Sequence, residues 1–306
     1  MNSQVVESAR SPRPQPTSDD RIPSRPRHAG ELRDFVRFAL QIGVRELLYG
    51  HVDYVRCIEF PLVFRHLALK PGGRLLDVGS GDSHFPLYVA SRSDTTVVAL
   101  DASRRVLWQK EAEARFVRQG IVPDGRLHVV IADARDTSLG DEEFDYITLI
   151  STIEHIEGDG DSAAIREMAR LLKPGGRIVL TVPYNYDRYR DFWVSEDTYT
   201  AVYRGARLFY QRHYDDEALT ARLVKPSGLR LATKVIFGEP GWRCFNTLFA
   251  NPRLPVLAKA PYLWAMPLLA RRFARILREQ EIRTKEDLPM VTTEGALLVL
   301  EKPARA

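Results

Sequence analysis

One decapeptide, Arg74-Leu-Leu-Asp-Val-Gly-Ser-Gly-Asp-Ser83, limits what this chain can become. Leu75, Leu76 and Val78 read as the end of a short buried strand, and Gly79 and Gly81 follow at once. Glycine has no Cβ, so the chain can turn sharply there and bring its backbone close to a ligand. Phe85-Pro-Leu-Tyr-Val-Ala-Ser91 then reads as the start of a helix whose open N–H groups face the turn. Strand, glycine turn and helix N-terminus together make a corner suited to a nucleotide.

The spacing narrows the choice of nucleotide. A dinucleotide fingerprint carries a third glycine that lets helix and strand pack closely, and His84 stands at that position. Asp77 sits two residues before the first glycine, where a carboxylate can accept from an ammonium group. Here the chain resembles the class I S-adenosylmethionine (SAM)-dependent methyltransferases of the type-11-like group. Their first motif is an acid followed by Gly-x-Gly-x-Gly, with Ser83 in place of the last glycine. The resemblance implies a doubly wound, Rossmann-like α/β fold with a seven-stranded sheet. Its last strand is antiparallel and lies between the fifth and sixth. SAM is the implied cofactor, with Asp77, Gly79, Ser80 and Gly81 at its methionine end.

The rest of the chain follows the same alternation. Strands at 74–78, 96–101, 128–133, 144–150 and 177–183 alternate with helices near 85–92, 104–119 and 161–172. Continuous β-branched runs of this kind belong to parallel sheets buried on both faces. Strands at 230–237 and 292–300 bring the count to seven. Helical spacing over 31–48 and 51–69 predicts a cap ahead of the glycine turn, over residues 30–70. Residues 1–29, rich in Pro and Arg and poor in large apolar side chains, read as a disordered tail. Residues 30–303 then form a single domain with insertions at 184–214 and 239–288.

Acids stand at the strand ends. Asp101 closes the second strand, where a carboxylate either accepts both hydroxyls of a ribose or caps the following helix. Asp133, at the third strand end, is the adenine-binding position in the resembling family. It is otherwise a turn residue, and Asp136 competes for the role. Ala102, Ala134 and Ser151 flank these positions as further cofactor-binding residues. The fourth strand opens into Ser151-Thr-Ile-Glu-His-Ile156, where this family often carries an acid–His pair. His155 is the candidate general base, since an ordinary pKa near ~6.5 suits proton removal at neutral pH. Glu154 is its candidate partner, or both merely hold the loop. Relatives with Glu-x-x-Glu-His bind a divalent metal, but Ser151 replaces the first glutamate, so no metal is expected. Arg56 or Tyr54 either reaches the SAM carboxylate or serves as a surface salt bridge and a core edge.

Composition leaves the acceptor open. A net charge of +4 with pI near 9.0 does not by itself imply nucleic acid, and no Asn/Asp-Pro-Pro-Tyr motif of nucleic-acid methylation follows the fourth strand. Two cysteines, no apolar leader and no long apolar run suggest a cytoplasmic protein. Seven tyrosines in 184–214, with Arg207, Arg212 and His213, form either an aromatic lid with anion-holding cations or ordinary core. Residues 254–278 predict an amphipathic helix with Arg271, Arg275 and Arg278 on one face. Such a helix lies on a membrane surface or docks on its own domain or a dimer mate. The expected activity is methyl transfer from SAM to a small-molecule or lipid-linked acceptor, at oxygen. The alternatives are a non-catalytic SAM-binding protein and an NAD(P)-dependent oxidoreductase.

Overall fold

The computed structural model describes residues 29–42, 53–196, 203–249, 256–282 and 292–305. The tail, the end of the first predicted helix and Tyr199 lie outside the described residues, although Ala29 already begins a helix. In chain order the elements are α1 (Ala29–Ile42), α2 (Arg56–Leu67), β1 (Arg74–Val78), α3 (Phe85–Arg92) and β2 (Thr96–Asp101). They continue with α4 (Trp108–Arg118), β3 (Leu127–Ile131), β4 (Phe144–Ile150), α5 (Gly160–Leu171) and β5 (Leu172–Pro183). A hairpin of β6 (Arg190–Glu196) and β7 (Tyr203–His213) follows, then β8 (Arg230–Gly238), α6 (Val256–Phe273), β9 (Arg275–Ile276) and β10 (Gly295–Glu301).

The sheet order is β3-β2-β1-β4-β5-β10-β8-β9. The pairs among β1 to β5 are parallel, and β10 runs antiparallel between β5 and β8. The predicted seven strands are present, and two-residue β9 adds an eighth at the edge. Side chains alternate between two cores. Leu75, Val97, Ala99, Val179, Leu297 and Val299 pack on the side of α1 to α4. Leu76, Val98, Leu100, Ile178, Leu180 and Leu298 pack on the side of α5. Both faces are therefore dry, as the unbroken apolar strands require. The chain leaves β1 toward β3 on one side and returns to β4 on the other. A sheet of this order binds ligands in the crevice above the β1 and β4 carboxyl ends.

Both insertions differ from expectation. Within 184–214, β6 and β7 pair as an antiparallel two-stranded sheet, consistent with the strand preference of their aromatic and β-branched residues. Tyr184 and Tyr214 are buried core, bonded to Asp216 and Asp161. Arg212 and His213 are not anion-holding cations at the surface: they are 1% and 0% exposed. Arg212 forms an ion pair with Asp161 at 2.7 Å and donates to the Ile156 and Gly158 carbonyls at 2.8 and 3.0 Å. The side chain of Arg207 lies outside the described residues.

The predicted basic helix face is also corrected. α6 ends at Phe273, so Arg271, Arg275 and Arg278 do not share one helix. Arg275 instead joins β9, where its segment completes the open edge beside Phe237 and Gly238. Arg275 and Arg278 both face Glu281, at 2.5 and 3.7 Å. Among the described residues no helix is long and apolar enough to cross a membrane.

Arg212 has almost no contact with water and relies on Asp161, whereas Asp161 also keeps Arg222 at 2.8 Å and the Tyr214 hydroxyl at 2.9 Å. Asp161→Ala leaves the buried Arg212 cation without its carboxylate and should lower stability by about 3–5 kcal/mol, read as a reduced urea midpoint with an unchanged slope; Arg212→Ala should cost less.

Candidate active site

The glycine turn is held from both sides. Gly79 and Gly81 have φ of +73° and +44°, a region side chains rarely adopt. Gly79 is also in close contact with the tip of β4: a Cβ there would lie 2.1 Å from Thr152 Cγ2. The Gly79 and Ser80 amides donate to the Leu100 carbonyl at 2.8 and 3.1 Å, which fixes the turn to β2. Gln109, fully buried on α4, donates to the Gly81 and Ser83 carbonyls at 3.2 and 2.6 Å. Nothing at sequence level marked Gln109, because its partners lie on a loop 26 or more positions away. His84 is buried, with its ring 4.9 Å from Trp108 and 5.9 Å from Phe116. An aromatic sandwich thus occupies the place where a third glycine would let backbone meet backbone.

Asp77 lies beneath the turn at 3% exposure. Its two carboxylate oxygens accept from the Thr148 and Ser80 hydroxyls, each at 2.6 Å. Burial pushes its carboxyl up to about 6, against the pull of those hydroxyls and of Arg56. Asp101 accepts the Gly81 amide at 3.0 Å and the Ser103 amide at 2.7 Å, one on each oxygen, and remains half-buried. Ser103, not Asp101, caps the short turn that leads into α4. Ala102 is exposed beside them. At the tip of β3, Asp133 accepts the Arg135 amide at 2.8 Å and grips the exposed Arg135 guanidinium with both oxygens. That hydrogen bond is the main reason its carboxyl lies below the ordinary range. Asp136 closes the same turn by a bridge to Asp133, and Ala134 is buried next to it.

One residue that no sequence motif marked joins these pieces. Glu59 on α2 is 2% exposed in the otherwise apolar run Cys57-Ile-Glu-Phe-Pro-Leu-Val-Phe64. One of its oxygens accepts from the Ser151 hydroxyl at 2.7 Å and the Thr181 hydroxyl at 2.8 Å. The other accepts from Arg56. Ser151 therefore gives its hydroxyl to α2, and it sits in the left-handed region at φ +47°. A buried carboxylate needs this many donors to remain inside. A charged residue at an apolar helix position was the signal available in the sequence.

Glu154 and His155 follow on the same loop. Glu154 is 1% exposed, and no other described residue donates to either carboxylate oxygen. Burial pushes its carboxyl up to about 8, with Glu59 nearby adding to the effect and Arg56 and Arg212 opposing it. The His155 Nδ1 lies 2.6 Å from the Tyr210 carbonyl, which assigns the ring proton to that nitrogen. Its Nε2 stands 3.8 Å from Glu154 Oε1. Burial holds the His155 pKa below its ordinary value, the Tyr210 bond works against this, and Arg56 adds to it. Arg56, 27% exposed, thus reaches Asp77, Glu154 and His155 electrostatically from the start of α2. Tyr54 points away from the crevice: its hydroxyl donates to Glu239 at 2.6 Å.

Comparison with known proteins agrees with this geometry. Residues 76–180 match the methyltransferase domain family. The chain is 32% identical over 142 residues to a ubiquinone/menaquinone biosynthesis C-methyltransferase of Geotalea daltonii, covering 43% of this chain and 57% of that one. It is 30% identical over 114 residues to the 27-O-demethylrifamycin SV methyltransferase of Amycolatopsis mediterranei, covering 37% and 40%. The chain therefore spans about half the length of the curated relatives it matches. Among solved structures, a SAM-dependent methyltransferase from Methanosarcina mazei has a TM-score of 0.52 at 16% identity, over 79% of this chain and 98% of that one. The [4+2]-cyclase SpnF has the same fold at a TM-score of 0.50 and 21% identity, over 82% of each chain. Residues 76–180 thus match a methyltransferase domain, and the chain shares the fold of that SAM-dependent methyltransferase from Methanosarcina mazei.

Two outcomes follow from the buried acids. Glu59→Ala leaves three donors without their acceptor and should cost about 3 kcal/mol in urea unfolding, whereas Ser151→Ala should cost about 1 kcal/mol. Glu154 keeps its proton to about pH 8 in the fold but releases it near ~4.3 when unfolded. The folded chain then binds more protons, so stability falls as pH rises through that window. Above about pH 6, where Asp77 has titrated, the fall should reach about 2 kcal/mol by pH 8 and vanish in Glu154→Gln. Parallel stability curves for the two proteins would show that Glu154 is ionised throughout.

Proposed function

We propose that the protein transfers a methyl group from SAM to an oxygen atom of a small-molecule or lipid-linked acceptor. The observation that carries this reading is the glycine turn beside a half-buried Asp101, packed against Thr152 of the loop that carries His155. When bound, SAM supplies an electrophilic methyl on a positively charged sulfur.

The residues present fit that group. Positions 79 and 81 carry no side chain, so the backbone is bare where the methionine end would pass. Each Asp101 oxygen accepts one amide and keeps a lone pair for a ribose hydroxyl. Asp133, half-exposed, would accept the adenine amino group beside the Ala134 backbone, and its pair with surface Arg135 is the kind that exchanges readily. Arg56 would face the SAM carboxylate. Asp77 acts from below, by holding Ser80 and the turn in place. Ser151 and Ala102 would line the walls.

On the acceptor side, His155 gives its Nδ1 proton to the Tyr210 carbonyl, so Nε2 offers a lone pair. Its lowered pKa keeps that nitrogen free of a proton at neutral pH, as a base for an acceptor hydroxyl requires. The proton taken from the acceptor hydroxyl would then sit on Nε2, 3.8 Å from Glu154 Oε1, where a neutral carboxyl still offers its carbonyl oxygen as an acceptor. Positioning two reactants in line can contribute about 7–11 kcal/mol to the rate, and α2 with the β4 tip provides the rigid walls.

A second reading, transfer to carbon, is favoured by one finding: the relative in Geotalea daltonii is named a C-methyltransferase. Incubation with methyl-labelled SAM and an extract of the source organism separates the two. Label released as methyl iodide by hydriodic acid supports oxygen; label retained on the product skeleton supports carbon. No incorporation alongside measurable SAM binding would leave a non-catalytic SAM-binding protein. Asp101→Ala should weaken S-adenosylhomocysteine binding by about tenfold or more, since ribose hydroxyls and the Gly81 amide lose their acceptor. Unchanged affinity by calorimetry would sink the ribose assignment.

A further inference from the structure

Within the second insertion, residues 240–278 contain seven Arg and Lys residues and no Asp or Glu, although Glu239 and Glu279 border the stretch and Glu281 pairs with Arg275 and Arg278. The whole chain is only +4, so the remainder sums to −3. Soluble surfaces ordinarily intersperse both signs. Here the positive charge sits with large apolar side chains.

The placement of those side chains is specific. α6 buries Met266 and Ala270, each 2% exposed, on its inner side, and packs on α1 and α2. Its outer side shows Leu268 at 59% exposure, with Arg271 and Arg272 exposed three and four positions on. Residues so spaced are neighbours on a helix. Arg272 lies over the Phe273 ring at 5.6 Å. Trp242, 47% exposed, stands edge-on to the same ring at 4.9 Å. Trp242, Phe273, Arg272, Leu268 and Arg271 thus form one continuous surface.

We propose that this face docks on an anionic lipid bilayer. Leu268 and Trp242 enter the headgroup region, and Arg271 and Arg272 meet lipid phosphates. The chemistry favours lipid over a protein partner. Tryptophan and arginine side by side on an exposed surface, contributed by a stretch without acids, match the apolar-to-phosphate boundary of a membrane. The lack of acids between residues 240 and 278 limits repulsion from a uniformly negative surface. The docked face is firmly linked to the crevice. Tyr54, two residues before Arg56, bonds to Glu239 at 2.6 Å and to the Leu269 carbonyl of α6 at 3.4 Å. Docking would therefore hold the cap of the crevice close to the bilayer. The proposal stands apart from the methyl-transfer reading, because it rests on α6 and Trp242 alone.

Flotation with vesicles containing phosphatidylglycerol, against vesicles of phosphatidylcholine alone, tests it. The full-length protein should bind the anionic vesicles at least about tenfold better, and high salt should remove most of that preference. Both L268E and R271Q/R272Q should lower anionic binding by about tenfold, with unchanged thermal unfolding midpoints. The second variant alters only exposed groups, so the test survives if L268E misfolds. Equal binding to both vesicle types, no binding, or binding unchanged in folded variants would overturn the proposal. So would self-association in sedimentation that L268E abolishes, since the face would then serve a second copy of the chain.

Discussion

The carboxylate of Glu59 is the interaction on which the candidate site depends. A charged group at 2% exposure is tolerable only when donors surround it, and Arg56, Ser151 and Thr181 supply them. The three come from α2, the β4 tip and β5, so one buried anion locks a helix onto two strand ends. Ser151 is held in a left-handed turn, and that turn directs Thr152 onto Gly79. The glycine turn and the loop after β4 are thereby in direct contact. A shift of α2 would be felt at both.

The second organising property is electrostatic. Asp77, Glu59 and Glu154 bring several carboxyl groups into a nearly dry crevice, with Arg56 as the nearby cation. Not all of them can be charged at neutral pH, and Glu154 is the one that keeps its proton. Burial acts in the opposite direction on His155, holding it neutral. Acid and base next to each other thus both lack charge at neutral pH.

Much of this was legible. The order of strands and helices from Arg74 to Pro183, the glycine turn and Asp101 at the end of β2 all follow from local pattern, and the structure has them where the pattern indicates. Periodicity misjudged the periphery. The span after Phe273 has helical spacing, yet an open edge at Phe237 and Gly238 captures Arg275 and Ile276 as a strand. Arg212 and His213 read as surface cations, yet Asp161 and Gln211, distant or on the same strand face, draw them inside. Glu59 and Gln109 went unmarked because their partners are remote in the chain.

What the sequence by itself determined is the parallel sheet and the glycine turn at its mouth. Unbroken apolar strands must be covered on both faces, and a glycine pair after a strand permits one kind of turn. Those are local constraints, written within a few residues of where they act. The tertiary structure alone decided which carboxyl is protonated, which cation is buried and which helix face remains in water. Those outcomes depend on burial and on partners from distant segments, since the cost of a charge is set by its surroundings rather than by its neighbours in the chain.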